Sequence, residues 1–233
     1  LTPPNWTFGI WGVIYLGLLL FNIAQFIPKF QLNQTISRIN YLFPFSCLLN
    51  ISWLLVFGLQ TKVFILISLL IILFLTIILC FIQSKAKIFK NKQKHVSKII
   101  CVDIPFSLYL GWVIFAMVAN LGTVITAWFP ENKINEFILF TTTFIVTGMI
   151  YLINLFFNNN YITEFVFFYV ATAFAIKYYY DNVLLFNTTI STIIVSFICF
   201  FAKVIIDCRK RLKKNNRKYF FTPLLESSPC DSV

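Results

Sequence analysis

The sequence predicts an all-α, polytopic transmembrane bundle of about seven helices. Three observations carry this: composition, the spacing of uncharged segments, and the placement of positive charge. Of 233 residues, 59% are apolar and only 12% charged, with a mean hydropathy of +0.84. A soluble domain runs at roughly 45–50% apolar and about 25% charged. The apolar fraction amounts to about 137 residues, close to what seven spans of roughly 20 residues need. A soluble enzyme, a disordered chain and a secreted disulfide scaffold are excluded on this ground.

The uncharged segments give the elements in order. Trp6–Ile27 is the first span and Tyr41–Gln60 the second, with Pro44 near its start. Val63–Ile82 is the purest, interrupted only by Ser68, Thr76 and Cys80. A hydrophilic stretch, Gln83–Lys98, then carries six lysines. Ile99–Trp128 is long enough to cross with tilt and holds one carboxylate, Asp103, near its boundary. Phe137–Phe157 is the fifth span, closed by Asn158, Asn159 and Asn160. The sixth, Phe165–Ile176, has an uncharged core of only 12 residues between Glu164 and Lys177. That length also fits an interfacial or re-entrant segment, although Tyr161 and Tyr178–Tyr180 could act as its aromatic belts. Val183–Ile206 is the seventh, with Lys203 near enough to its end to snorkel. Residues 1–207 thus form the bundle, and 208–233 a basic, then polar tail expected to be flexible.

The formal charge of +11 is distributed as a topology signal. With the N-terminus outside, fifteen basic residues fall inside: Lys29 and Arg38, the six lysines from Lys85 to Lys98, and seven between Arg209 and Lys218. Only Lys62, Lys133 and Lys177 fall outside. This bias matches the positive-inside rule. It also requires an even number of spans between the lysine loop and the tail, which holds if 165–176 crosses. The polybasic run can additionally attract anionic lipid, at about 1 kcal/mol per basic residue. Nucleic acid is not an expected partner, because no aromatic residue interleaves with the run before Tyr219.

Catalytic and metal chemistry find little support. The six cysteines, Cys47, Cys80, Cys101, Cys199, Cys208 and Cys230, have no disulfide or metal spacing. Cys208 is juxtamembrane, where palmitoylation can occur. The one histidine, His95, sits in the lysine loop without a carboxylate or thiol partner nearby. No acid–base or nucleophile–base arrangement is visible. The chain begins at Leu1 rather than Met, and a cleaved leader ahead of it is one expectation.

Functional candidates sit in three spans. The first opens Pro3-Pro4-Asn5-Trp6-Thr7-Phe8-Gly9-Ile10-Trp11-Gly12-Val13-Ile14-Tyr15. There Trp11 and Tyr15 share a face, and Gly9 and Gly12 are expected to admit a neighbouring helix. In the second span Asn50 and Trp53 share a face. In the fourth, taking Trp112 as zero, Pro105 falls at about 20°, Ala116 at about 40°, Tyr109 at about 60° and Asn120 at about 80°. The small Ala116 between large rings leaves room for something flat. Asn120 must find a partner inside the bundle. Trp6 and Trp128, at span ends, read as interfacial anchors.

These motifs resemble the translocator protein/TspO family, the tryptophan-rich sensory proteins. The family's Pro-Pro-x-Trp-x-x-Gly-Pro-x-Trp-x-x-x-Tyr signature resembles residues 3–15, one residue shorter here and without the third proline. Its Leu-Asn-x-x-Trp with a following Phe is similar to Leu49-Asn50-Ile51-Ser52-Trp53 and Phe57. Its Pro-Tyr-x-x-Trp-x-x-[Phe/Tyr]-Ala-x-x-x-Asn is similar to Leu108-Tyr109 through Trp112, Phe115, Ala116 and Asn120, with Leu108 in place of the proline. The resemblance covers residues 3 to about 128. It implies a five-helix core, with extra spans here, around a pocket for tetrapyrroles (porphyrin or haem), sterols or flat synthetic ligands. Trp11, Tyr15, Asn50, Trp53, Tyr109, Trp112, Ala116 and Asn120 are the residues expected to line it, with no metal and no obligatory cofactor. The expected function is a membrane receptor or carrier for such a ligand. A ligand-free subunit of a larger membrane complex and a small-molecule transporter are the alternatives, and a homo-oligomer is compatible with each.

Overall fold

A computed structural model describes residues 2–27, 33–89, 96–129 and 136–221. Among the described residues the secondary structure is helical throughout, in eight helices with no strand. Helix α1 is Asn5–Ala24, opening with a 3₁₀ turn over Asn5–Gly9. The others are α2 (Asn33–Ile39), α3 (Leu42–Gly58), α4 (Lys62–Ala86), α5 (Val96–Trp128), α6 (Glu136–Asn158), α7 (Tyr161–Asp181) and α8 (Val183–Phe221). Each of the seven expected spans falls on its own helix. Five helices (α1, α4, α5, α6 and α8) are long and apolar enough to cross a membrane. Helix α3 is apolar but 17 residues long, and α7, at 21 residues, carries Glu164, Lys177 and Asp181. Lys29, the lysines at 90, 92 and 94, His95, Lys133, Cys230 and the tail from 222 onward lie outside the described residues.

Helix α5 is the axle of the bundle. It packs against α1, α4, α6 and α7, and 72% of its most apolar window is buried, against 17% for α8. Its first turns contain a π segment, Ile99–Asp103, where the Ile104 amide donates to the Ile99 carbonyl. Pro105 explains this. It has no N–H to offer the carbonyl of Cys101, and its ring crowds that group, so the ladder widens by one residue.

Close helix approach occurs at other glycines than the sequence suggested. Among the described residues, no other helix comes within 4 Å of a Cβ placed on Gly9 or Gly12. At Gly17, however, a Cβ would meet Pro105 at 3.0 Å, and at Gly111 it would meet Val166 Cγ2 at 2.9 Å. The glycines thus set the α1–α5 and α5–α7 approaches. Asn160 caps α7, its Oδ1 accepting from the Thr163 amide, and Asn159 takes a left-handed φ of 54° in the turn before it.

The two ends of the bundle are tied differently. At the end where α1 begins, Lys177 donates to the Thr2 carbonyl at 2.8 Å and Tyr169 to the Thr7 carbonyl at 3.2 Å. At the opposite end, Lys203 does not reach for water as expected. It is buried, bonded to Asn159 Oδ1 at 2.6 Å and paired with Asp207 at 3.0 Å. Tyr161 donates to the other Asp207 oxygen at 2.7 Å. Asp103 is likewise buried, in an ion pair with Lys98. Two further differences concern length. Helix α8 continues to Phe221, so the basic run after 207 is helical up to that point, and α2 is a helix the sequence did not announce.

Candidate ligand site around Trp11

Helix α3 shows how the site is assembled. Its only buried residues are Ser46, Asn50 and Trp53, at the i, i+4, i+7 spacing of one helical face. Leu48, Ile51, Leu54 and Leu55 point outward. In a bilayer this inversion is favourable, because lipid takes the leucines while the polar side chains need protein partners. Helix α5 contributes Tyr109 and Trp112, each 1% exposed. Helix α1 contributes Trp11 and Tyr15.

Trp11 lies at the centre. Its ring stacks on Tyr15 at 5.2 Å and lies 6.5 Å from Trp53, 6.1 Å from Tyr109 and 6.2 Å from Trp112. Trp112 takes a further edge contact from Phe8 at 5.7 Å and a tilted one from Phe115 at 5.3 Å, and Trp53 stacks on Phe57 at 5.6 Å. Such aromatic pairs add about 0.5–1.5 kcal/mol each beyond burial, so the wall is stiff. Asn50 Nδ2 donates to Tyr15 Oη at 3.1 Å, and Tyr109 Oη donates to the Ser46 carbonyl at 3.3 Å. Tyr15 itself is 44% exposed, which places one edge of the cluster on the outer flank of the bundle.

Among the described residues, four polar atoms of this region are buried with no hydrogen-bond partner: Trp53 Nε1, Trp112 Nε1, Asn50 Oδ1 and Thr7 Oγ1. Six of the eight expected residues therefore come together: Trp11, Tyr15, Asn50, Trp53, Tyr109 and Trp112. Ala116 is buried one turn beyond Trp112 on the same face of α5. Asn120 is not part of the cluster. It pairs with Ser68 on α4, its Nδ2 donating to Ser68 Oγ at 2.9 Å. Trp6 and Trp128 are about half exposed. The sequence reading missed Phe8, Thr7, Ser46 and Ser68. Of these, Ser46 had a legible signal in its spacing from Asn50 and Trp53.

The sequence model of the family described as TSPO-like protein matches residues 1–205. The chain belongs to the TSPO-like family. The match runs past residue 128, where the motif resemblance faded, and takes in α6, α7 and most of α8. Comparison with curated proteins and with solved structures finds no match. With its apolar helices, this TSPO-like chain is an integral, multi-pass membrane protein in contact with the lipid bilayer. Among the described residues no group of three or more His, Cys, Asp or Glu side chains could hold a metal ion.

Proposed function

We propose that this TSPO-like protein is a non-enzymatic membrane receptor or carrier that holds a flat hydrophobic ligand, of the tetrapyrrole or sterol class, against the Trp11 cluster. The observation that carries this reading is the coincidence of large ring faces with unpartnered polar atoms. The indole N–H groups of Trp53 and Trp112 and the Oδ1 of Asn50 are buried without partners among the described residues, while the rings around Trp11 form the walls. An unmade buried hydrogen bond costs about 1–3 kcal/mol. A planar ligand with a peripheral carboxylate, carbonyl or hydroxyl would relieve that cost while covering ring area. Apolar walls with few convergent polar groups are the usual make-up of a small-molecule site. No cofactor is required in this reading, and the basic run of α8 meets anionic headgroups.

The test is a titration of detergent-purified protein with protoporphyrin, following both tryptophan quenching and the porphyrin absorption band. It is run beside a Trp112→Leu, Ala116→Phe double variant. Saturable binding by the wild type, at least tenfold weaker in a variant with unchanged helicity and elution, supports the site. Equal binding by both moves the ligand away from the Trp11 cluster, and no binding shifts the reading to another ligand or to a ligand-free subunit. Such a subunit would co-purify with partners in fixed stoichiometry after mild extraction.

A further inference from the structure

A second polar feature lies at the opposite end of the bundle, and its case is independent of the Trp11 reading. Between α4, α5 and α6 is a cavity of about 220 Å³ whose walls include Ile88, Leu110, Ile114 and Ile150. Gln83, in the last turns of α4, also lines it and is 8% exposed. The orientation of the Gln83 amide follows from the network behind it. Asn160 Oδ1 accepts from the Thr163 amide, so Asn160 Nδ2 must donate, to Gln83 Oε1 at 3.2 Å and to Ser107 Oγ at 3.0 Å. An amide that presents its oxygen to Asn160 has its nitrogen turned the other way. Gln83 Nε2 is buried and, among the described residues, has no acceptor. The other amides on the wall, Asn154 and Asn158, bond each other, Asn158 Nδ2 donating to Asn154 Oδ1 at 2.9 Å, so a buried donor facing this largely apolar cavity calls for an acceptor brought in by a ligand.

The cavity narrows the ligand. Among the described residues none that lines it is charged, so these walls offer no counter-charge to a phosphate or carboxylate. A dry apolar cavity of about 150 Å³ takes benzene, so this one accepts a polar group and a short apolar segment, not a whole lipid. Cys80, Ser84 and Ile153 on the rim are exposed on the outer flank, which opens the cavity sideways to the bilayer. Gln83 and Asn158 lie near the helix ends that carry the basic residues, at the level where hydrocarbon gives way to headgroups.

We infer that Gln83 Nε2 donates to the neutral ester carbonyl of an amphiphile whose first acyl segment lies against Ile114 and Ile150. The ester comes from a phospholipid of the adjacent leaflet, or from a free fatty-acid ester of the same chemistry. The full-length chain, purified in detergent, is delipidated and supplied with a diacyl phosphatidylcholine, its dialkyl ether analogue, or methyl laurate. Retained ligand is counted by native mass spectrometry. Gln83→Leu removes the donor, and Ile150→Phe fills the cavity from another helix.

Loss of one neutral hydrogen bond corresponds to about three- to tenfold in affinity. The diacyl lipid should therefore be held about that much more tightly than the ether lipid by the wild type, and the preference should vanish in both variants. Methyl laurate bound with the same dependence on Gln83, while the diacyl lipid is not held, assigns the site to a free ester and upholds the chemistry. Equal retention of ester and ether by the wild type overturns the inference without recourse to any variant. So does an ester preference that survives in both Gln83→Leu and Ile150→Phe.

Discussion

Asn50 and Asn120 are both buried asparagines, one on α3 and one on α5, yet their surroundings give them different energetics. Asn120 is matched by Ser68, whose hydroxyl also bonds the Ile65 carbonyl at 2.7 Å. Ser68 thus keeps a partner if Asn120 is lost, and the interhelical bond should contribute only about 0.6 kcal/mol, at most about 1.7. A double-mutant cycle with Asn120→Ala and Ser68→Ala, read by reversible unfolding in detergent, should return a coupling in that range. Asn120→Ala should leave porphyrin affinity within about twofold. A tenfold loss of affinity with no change in unfolding would make Asn120 a ligand contact instead. Among the described residues Asn50 keeps one side-chain bond, to Tyr15, and an unpartnered Oδ1, so it is the asparagine whose removal should weaken binding. The helical period put Tyr109, Trp112 and Asn120 on one stripe of α5, and the stripe is real. It could not assign them to one site, because α5 is flanked by α1 on one side and α4 on the other, and a stripe about 80° wide reaches both.

Helix positions were legible wherever an uncharged run ended in charge, since that boundary is what a bilayer imposes on sequence. The exceptions have a common cause, which is that facing is not visible from composition. Helix α7 spans 21 residues rather than 12 because Glu164 is wholly buried in the bundle and Lys177 bonds Thr2. A criterion that counts charge as if it faced lipid stops short at both. The basic run of α8 does not end that helix, because charge outside a membrane is no obstacle to helical backbone. Helix α2 is short and, among its residues of described burial, buries Thr35 and Ile39, too little pattern to read. The glycines teach the same lesson: Gly17 and Gly111 are at crossings and Gly9 and Gly12 are not. At Gly111 the α5–α7 distance depends on having no Cβ, since Val166 Cγ2 would be 2.9 Å away and the Val166 Cβ 3.1 Å. Gly111→Ala should therefore destabilise the bundle by about 1–3 kcal/mol through overpacking, seen as a lower unfolding temperature in detergent. Adding Val166→Ala should restore most of the loss. If the pair instead sums independently, the two helices are not held at contact by this site.

At the scale of the whole molecule, the charge bias and the polar ties agree on which helix ends lie together. Thr2, just ahead of α1, meets Lys177 in the last turns of α7, and Thr7 meets Tyr169 near the middle of that helix. Gln83 at the end of α4 meets Asn160 at the start of α7, and Asp207 late in α8 meets Tyr161. If all seven long helices cross, Lys85 and Cys208 lie on the cytoplasmic side and Tyr180 on the other. If α7 lies flat in the interface instead, only α5 and α6 cross between Lys85 and Tyr180. Those two would then share a side, and Cys208 would be opposite. Single-cysteine versions carrying Lys85→Cys, Tyr180→Cys or native Cys208, each exposed on the helix surface, separate these arrangements. With a membrane-impermeant maleimide on sealed vesicles of the host membrane, cytoplasmic face inward, only the Tyr180→Cys protein should label, and the other two should label after permeabilisation. Labelling of Cys208 alone would mean that α7 does not cross, and that the basic run faces outward against the positive-inside bias. The polar contacts argue for the first outcome: Lys177 and Thr2 are joined at one end of α7, and Asn160 and Gln83 at the other, with a helix of 21 residues between them. At 1.5 Å per residue such a helix is about 30 Å long, the thickness of the hydrocarbon core.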